Sequence, residues 1–219
     1  MIDLEPKQCV VLDDAHAILK GELPPSLCIP LGGPAFAGLW ALRTSRPVIK
    51  IHGRWIPVPR WQQAYVRDYA FSGRVSAALD LPPVLQPFVS WSRDVIDPRL
   101  NGVLVNWYAS PGDEIDDGET SSAGDYIGPH RDSRDGLIVG APIVTISLGG
   151  LRTFRLRPYR EKGPAVDVPL HNGAVVVVPF DTNLAYTHEV PRPRSTKGEV
   201  GRRISITLRA FTRLPGAST

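Results

Sequence analysis

Residues 143–178 read IVTISLGGLRTFRLRPYREKGPAVDVPLHNGAVVVV. Four β-rich runs lie inside this stretch, Ile143 to Leu148, Thr153 to Arg157, Ala165 to Pro169 and Ala174 to Val178. Val103 to Tyr108 comes before them and Ile204 to Phe211 after them, as further runs of the same kind. A dozen residues or fewer separate most of these runs, too few for a crossover helix each time. The spacing therefore favours an antiparallel barrel or jelly roll over a parallel α/β sheet.

Working back towards the N-terminus, Pro82 to Ile96 spaces its apolar residues at three and four with prolines at the start, the pattern of an amphipathic helix packed on a sheet. Val48 to Val58 alternates and breaks at Gly53, which predicts two short strands joined by a tight turn. The first 45 residues carry one short predicted helix near Asp13 to Leu19, then a Pro- and Gly-rich passage that reads as a wrapping segment. A chain of 219 residues has room for one core or two small ones, and one is expected.

Composition is that of a globular chain, 42% hydrophobic and 21% charged, which excludes a disordered or fibrous protein. No run approaches the ~20 apolar residues that span a bilayer, and the N-terminus lacks the basic-then-apolar order of a signal peptide. Cys9 and Cys28 are too few for a disulfide framework. A reducing, cytoplasmic setting, no membrane partner and a monomer are expected. The formal charge is +3. Residues 113–119 contain five acids and no base, and setting those aside leaves the rest of the chain at +8. A basic body suits a polyanion such as nucleic acid, although charge only nominates that partner.

Three residue patterns point to chemistry. In His130-x-Asp132 an extended backbone directs both side chains to one face, which makes either a chelating pair or part of a solvated loop. His188 follows the apolar run Ala174 to Pro179 and offers a third ligand. Two histidines and one carboxylate suit iron(II), leaving adjacent positions for a bidentate oxoacid and dioxygen, whereas structural zinc sites are closed tetrahedra. The third pattern, Arg203-Ile-Ser-Ile-Thr-Leu-Arg209, puts Arg203, Ser205, Thr207 and Arg209 on one face of a strand and apolar residues on the other. That face is either a polar exterior or an interior where the guanidiniums meet anions such as the two carboxylates of an oxoacid.

These patterns occur in one order with Ile51-His-Gly-Arg-Trp-Ile-Pro-Val-Pro-Arg60, Tyr69-Ala-Phe-Ser-Gly73, Asn106-Trp-Tyr108 and Pro142-Ile-Val-Thr-Ile-Ser-Leu-Gly149. In this combination the chain resembles the AlkB family of iron(II)- and 2-oxoglutarate-dependent oxygenases, especially the members that repair alkylated bases, over roughly Val48 to Phe211. The resemblance implies an α+β, mostly β fold. Its core is a double-stranded β-helix (jelly roll) at residues 100–213, with a substrate-binding hairpin lid and supporting helix at 48–99. A wrapping segment with flanking helices at 1–47 completes a single domain, 1–219.

By position, the resemblance implies iron held by His130, Asp132 and His188. It implies 2-oxoglutarate held by Asn106, Tyr108, Arg203, Thr207 and Arg209, with Arg209 on the distal carboxylate. Tyr69 and Phe71 match positions that line the pocket of an extruded base. The activity implied is oxidative demethylation of N-alkylated bases in DNA or RNA with dioxygen as co-substrate, releasing formaldehyde and succinate.

The chain departs from the repair enzymes at three places. Residues 109–128 form a longer insertion carrying the acidic run, either a lid or a solvated loop. Arg134 stands where the relatives have an acidic residue that reads the base, with Asp135 one position late, so a free small molecule such as a nucleoside or amino acid is the alternative substrate. His52 occupies the hairpin tip where duplex-specialised relatives carry an apolar wedge, which favours single-stranded nucleic acid. Ser205 replaces an expected Asn. Arg192 to Lys197 is either a phosphate-binding or a merely exposed loop, and Arg155 and Arg157 face either the pocket or solvent.

Overall fold

The fold is built on two antiparallel sheets, and which residues each sheet buries follows from the alternation of the strands. A computed structural model describes residues 2, 4, 5, 7–71, 74–115, 121, 124–193 and 201–212. The chain begins with a hairpin of β1 (Gln8–Val11) and β2 (Ala17–Glu22), followed by α1 (Pro34–Ala41) with Pro34 in its first turn. Two short hairpins come next, β3 (Val48–Ile51) with β4 (Arg54–Pro57), and, after β5 (Trp61–Tyr65), β6 (Tyr69–Phe71) with β7 (Arg74–Ser76). Helix α2 (Gln86–Val95) leads to the remaining strands: β8 (Gly102–Tyr108), β9 (Ile127–His130), β10 (Ile143–Gly149), β11 (Arg152–Pro158), β12 (Val166–Leu170) and β13 (Ala174–Val178). A single short helix, α3 (Phe180–Ala185), stands before β14 (Tyr186–Val190) and β15 (Arg203–Arg209).

Among the described residues the larger sheet runs in the order β1-β2-β13-β10-β15-β8-β5 and the smaller β12-β11-β14-β9. Every pairing within them is antiparallel. The non-consecutive neighbours are the signature of a jelly roll rather than a meander.

Strands β8, β10 and β15 decide where the site lies. One face of this trio presents Val103, Val105, Trp107, Val144, Ile146, Leu148, Ile204, Ile206 and Leu208, all buried with Phe36, Leu39 and Trp40 of α1 and Phe88 and Val89 of α2. The helices thus cover the outside of the large sheet, and Trp107 donates its indole N–H to the Leu39 carbonyl at 2.9 Å. A second apolar cluster fills the space between the sheets, with Ile143, Phe154, Leu156, Val176, Val178, Tyr186 and Val190. The polar faces of β8 and β15 also look into that space, and there they line a cavity.

Expectation and structure differ at residues 13–19, where a hairpin replaces the predicted helix. Asp13 accepts from the backbone N–H groups of Ala15 and His16 at 2.8 and 2.7 Å, closing the turn. An Asp ahead of an apolar run serves equally as helix cap or turn residue. Here Ala17–Glu22 is claimed by the valine strand β13, on which Leu19 pairs with Val177. The 48–58 hairpin and the helix within 82–96 are found where the spacing puts them.

Candidate active site

His130 is the last residue of β9, and its Nδ1 lies 2.9 Å from the Gly128 carbonyl. With Nδ1 donating to that carbonyl, Nε2 keeps its lone pair for a metal. His188, on β14, is paired in register with His130, which sets the two rings 4.4 Å apart. Phe154 stacks on His188 at 5.3 Å and fixes its ring plane. Asp132 follows β9 and is buried. Asn183 of α3 holds its backbone from both sides, accepting from the Asp132 N–H and donating to its carbonyl, each at 3.1 Å. One ligand atom from each of His130, Asp132 and His188 lies within 4.8 Å of the others.

Protonation prepares the set for a cation. Burial, opposed by the nearby Asp132, lowers His130 from its usual value. Burial and the neighbouring His130 lower His188 to about 3. Burial alone would raise Asp132, but Arg209 and the two histidines override it and hold the carboxylate near 2. At neutral pH the site therefore offers two neutral imidazoles and one carboxylate, a donor set suited to iron(II) with coordination positions left open.

The two strand arginines have different partners. Arg209 grips Asp132 with both arms, Nε to Oδ2 at 2.9 Å and Nη2 to Oδ1 at 2.8 Å. Arg203 is fully buried and spends Nε on Ser147 Oγ at 2.9 Å, while Nη1 and Nη2 have no hydrogen-bond partner among the described residues. Its Cζ lies 5.0 Å from the Tyr108 ring centre. Arg203 is thus a buried cation with no anion paired to it among the described residues, and Arg209, expected on the distal carboxylate, is paired instead with Asp132 of the candidate metal set. Asn106, Tyr108, Ser205 and Thr207 line the same cavity, with Asn106 accepting from Arg60 Nε at 3.0 Å. The polar interior suits a short dicarboxylate ending on Arg203.

The expected base-binding residues are less closely gathered. Tyr69 lines the cavity, with the Arg209 guanidinium 5.0 Å from its ring centre. Phe71 ends β6, but its side chain lies outside the described residues. His52 is exposed at the β3–β4 tip, and Arg134 and Asp135 are exposed beyond Asp132. Asp135 accepts from Ser133 Oγ at 2.9 Å. None of His52, Arg134 and Asp135 is among the cavity-lining residues.

Arg155 and Arg157 pair with Asp167 and Glu189 instead of entering the cavity. Of the acidic run only 113–115 is described, Asp113 meeting Arg202 at 3.3 Å, and Arg194 to Lys197 lie outside the described residues. Arg60, Ser147, Phe154 and Asn183 went unread as site residues. Arg60 closes the quoted hairpin motif and Ser147 lies inside the quoted Pro142 to Gly149 motif, so both carried a sequence signal. Phe154 and Asn183 depend on contacts between elements distant in sequence.

Residues 53–209 match the family model described as the 2OG-Fe(II) oxygenase superfamily. A DNA oxidative demethylase, ALKBH2 of Bos taurus, is 30% identical over 171 residues, covering 74% of this chain and 56% of the relative. The chain thus spans little more than half the length of that relative. Among solved structures, OsALKBH1 superposes with a TM-score of 0.55 at 14% identity over 93% of this chain and all of that one. An oxidoreductase of the 2OG-Fe(II) oxygenase family from Burkholderia pseudomallei gives 0.50 at 17% identity, over 87% and 84%. At such identities both structures attest the fold.

Proposed function

Since the chain belongs to the 2OG-Fe(II) oxygenase superfamily, as an AlkB-like member, we propose that it removes N-alkyl groups from bases of DNA or RNA by oxidation. The observation that carries this reading is the pairing of an iron-type donor set with a buried guanidinium whose Nη1 and Nη2 have no hydrogen-bond partner among the described residues, in one cavity. His130, Asp132 and His188 hold iron(II), and Arg209 keeps Asp132 ionised and oriented. Arg203 receives the distal carboxylate of 2-oxoglutarate, with Ser147 fixing its Nε and Asn106, Tyr108 and Thr207 forming the walls. Phe154, Ile143 and Val178 keep water from the metal side.

With iron bound, oxidative decarboxylation of the oxoacid to succinate and carbon dioxide supplies one oxygen atom of dioxygen to a substrate C–H bond. When that bond belongs to an N-methyl group, the N-hydroxymethyl product breaks its C–N bond to give formaldehyde and the N–H base. Tyr69 stands at the substrate end, where an extruded base would meet it. The exposed polar His52 suits substrates that are already unpaired, so single strands are favoured over duplex.

Relatedness to a DNA oxidative demethylase supports nucleic acid as substrate. One observation favours a second reading, oxygenation of a free small molecule: Arg134 and Asp135 are exposed and neither is among the cavity-lining residues, so no carboxylate of that pair lines the cavity to read a base. The test is to load the protein with iron(II) and 2-oxoglutarate and supply N-methylated oligonucleotides, single- and double-stranded, and N-methylated nucleosides. Formaldehyde matched to succinate from oligonucleotides supports the first reading. Matched release from nucleosides alone moves the conclusion to the second.

A further inference from the structure

Behind Tyr108, which lines the oxoacid cavity, stands a further buried guanidinium that belongs neither to the metal site nor to the expected oxoacid residues and is not itself among the cavity-lining residues. Arg152 opens β11 and is only 5% exposed. Its Nη2 donates to two backbone carbonyls, Asp125 at 2.7 Å and Pro191 at 2.8 Å, while Nη1 is buried without a partner among the described residues. Its Cζ is 5.6 Å from the Tyr108 ring centre, against which Arg203 also stands at 5.0 Å.

The Asp125 carboxylate, which favours the charge on Arg152, is itself paired elsewhere. Asp125 gives both oxygens to Arg46, at 2.9 and 2.7 Å, and Oδ2 also accepts from the Ala109 N–H at 2.8 Å. Three buried guanidinium nitrogens, one of Arg152 and two of Arg203, thus stand in the Tyr108 neighbourhood with no carboxylate paired to them among the described residues. Burial and then the charge of Arg203 pull Arg152 down to about 10, the expected consequence of two cations sharing one poorly solvated region. Such a pair is costly in the empty protein and favourable once an anion arrives.

We propose that Arg152 is a positioning and specificity residue for the oxoacid. Acting across Tyr108, it adds a second positive charge to the distal end and so selects an oxoacid whose far end carries a full negative charge. Its two carbonyl contacts also tie this end to the segments entering at Asp125 and leaving at Pro191, so the Tyr108 wall is held from behind. This inference rests on the oxoacid assignment made above.

The experiment compares the wild-type chain with Arg152→Gln and Arg152→Lys by calorimetric titration under anaerobic conditions with iron(II). The probes are 2-oxoglutarate and 2-oxopentanoate, which has the same carbon chain without the distal carboxylate. In Arg152→Gln, which removes the charge but keeps an amide donor, 2-oxoglutarate is expected to weaken about tenfold while 2-oxopentanoate changes less than about twofold. Arg152→Lys is expected to hold the wild-type preference to within about threefold. Equal weakening of both oxoacids in Arg152→Gln would mean a merely structural role, and unchanged affinity would mean none; either overturns the proposal. Should Arg152→Gln fail to fold, Arg152→Lys alone decides, since loss of the dicarboxylate preference with the charge retained contradicts it. Failure of the wild type to bind 2-oxoglutarate at all would instead overturn the oxoacid assignment itself.

Discussion

At the scale of single residues, two arginines on one strand make opposite demands on the protein. Arg209 and Asp132 form a buried bidentate pair, with side chains 6% and 1% exposed. Replacing Arg209 by Met strands a buried carboxylate and is expected to cost about 3–5 kcal/mol in denaturant unfolding. Arg203 has no anionic partner in the described protein, so Arg203→Met should leave unfolding stability unchanged or raised while abolishing 2-oxoglutarate binding. Equal destabilisation by both variants would contradict this division of labour. The alternation of Arg203-Ile-Ser-Ile-Thr-Leu-Arg209 put both guanidiniums on one face but left that face open as exterior or interior, and their burial makes it the interior. Which one lacks an anionic partner was not legible, because that depends on Asp132 arriving from the loop after β9 and on Ser147 lying across the β10–β15 ladder.

At the scale of elements, turns hold the site's strands in register. Gly149 sits at φ 103°, and a Cβ there would come within 2.2 Å of the Arg202 carbonyl oxygen, directly before Arg203. Gly149→Ala is therefore expected to lower the thermal midpoint sharply and weaken oxoacid binding together, read by melting and titration on one preparation. The β3–β4 tip is a two-residue turn in which His52 and Gly53 have φ of 47° and 81°, the type I′ pattern that prefers Asn-Gly. His52→Asn should stabilise by about 0.5–1 kcal/mol in chemical denaturation, and a loss would contradict the turn assignment.

The hairpin and the strand series were legible because alternation and turn residues are local. The β1–β2 hairpin was misread as a helix because pairing with β13 settled it, and no local signal carries that partner. The same hairpin supplies a pH dependence. Asp13 accepts from Tyr186 Oη at 2.7 Å, and that bond, with the Ala15 N–H, holds its carboxyl below the usual range. A depressed folded value contributes stability above the unfolded carboxyl value of ~3.9 and loses it as pH falls further. Tyr186→Phe should therefore be less stable than wild type at neutral pH, with the two thermal midpoints converging below about pH 4.

At the scale of the whole molecule, the two-sheet architecture gives one strand trio two functions. Its apolar face anchors the helices, and its polar face meets the candidate metal-binding residues carried by the smaller sheet and the loop after β9. Fold and cofactor chemistry were largely legible, because both are written in alternation and in ligand types. Substrate recognition was less so, since the residues nominated for it, apart from Tyr69, fall outside the cavity or outside the described residues. The central claim is that His130, Asp132 and His188 hold iron(II) while Arg203 holds the distal carboxylate of 2-oxoglutarate. The most direct measurement is an anaerobic titration with iron(II) and then 2-oxoglutarate, followed by absorbance, on wild type, His188→Ala and Arg203→Met. The account expects an iron–oxoacid charge-transfer band in wild type, no iron retention in His188→Ala, and in Arg203→Met iron retained without saturable oxoacid binding. A band of undiminished oxoacid affinity in Arg203→Met, or iron held equally well by His188→Ala, would contradict it.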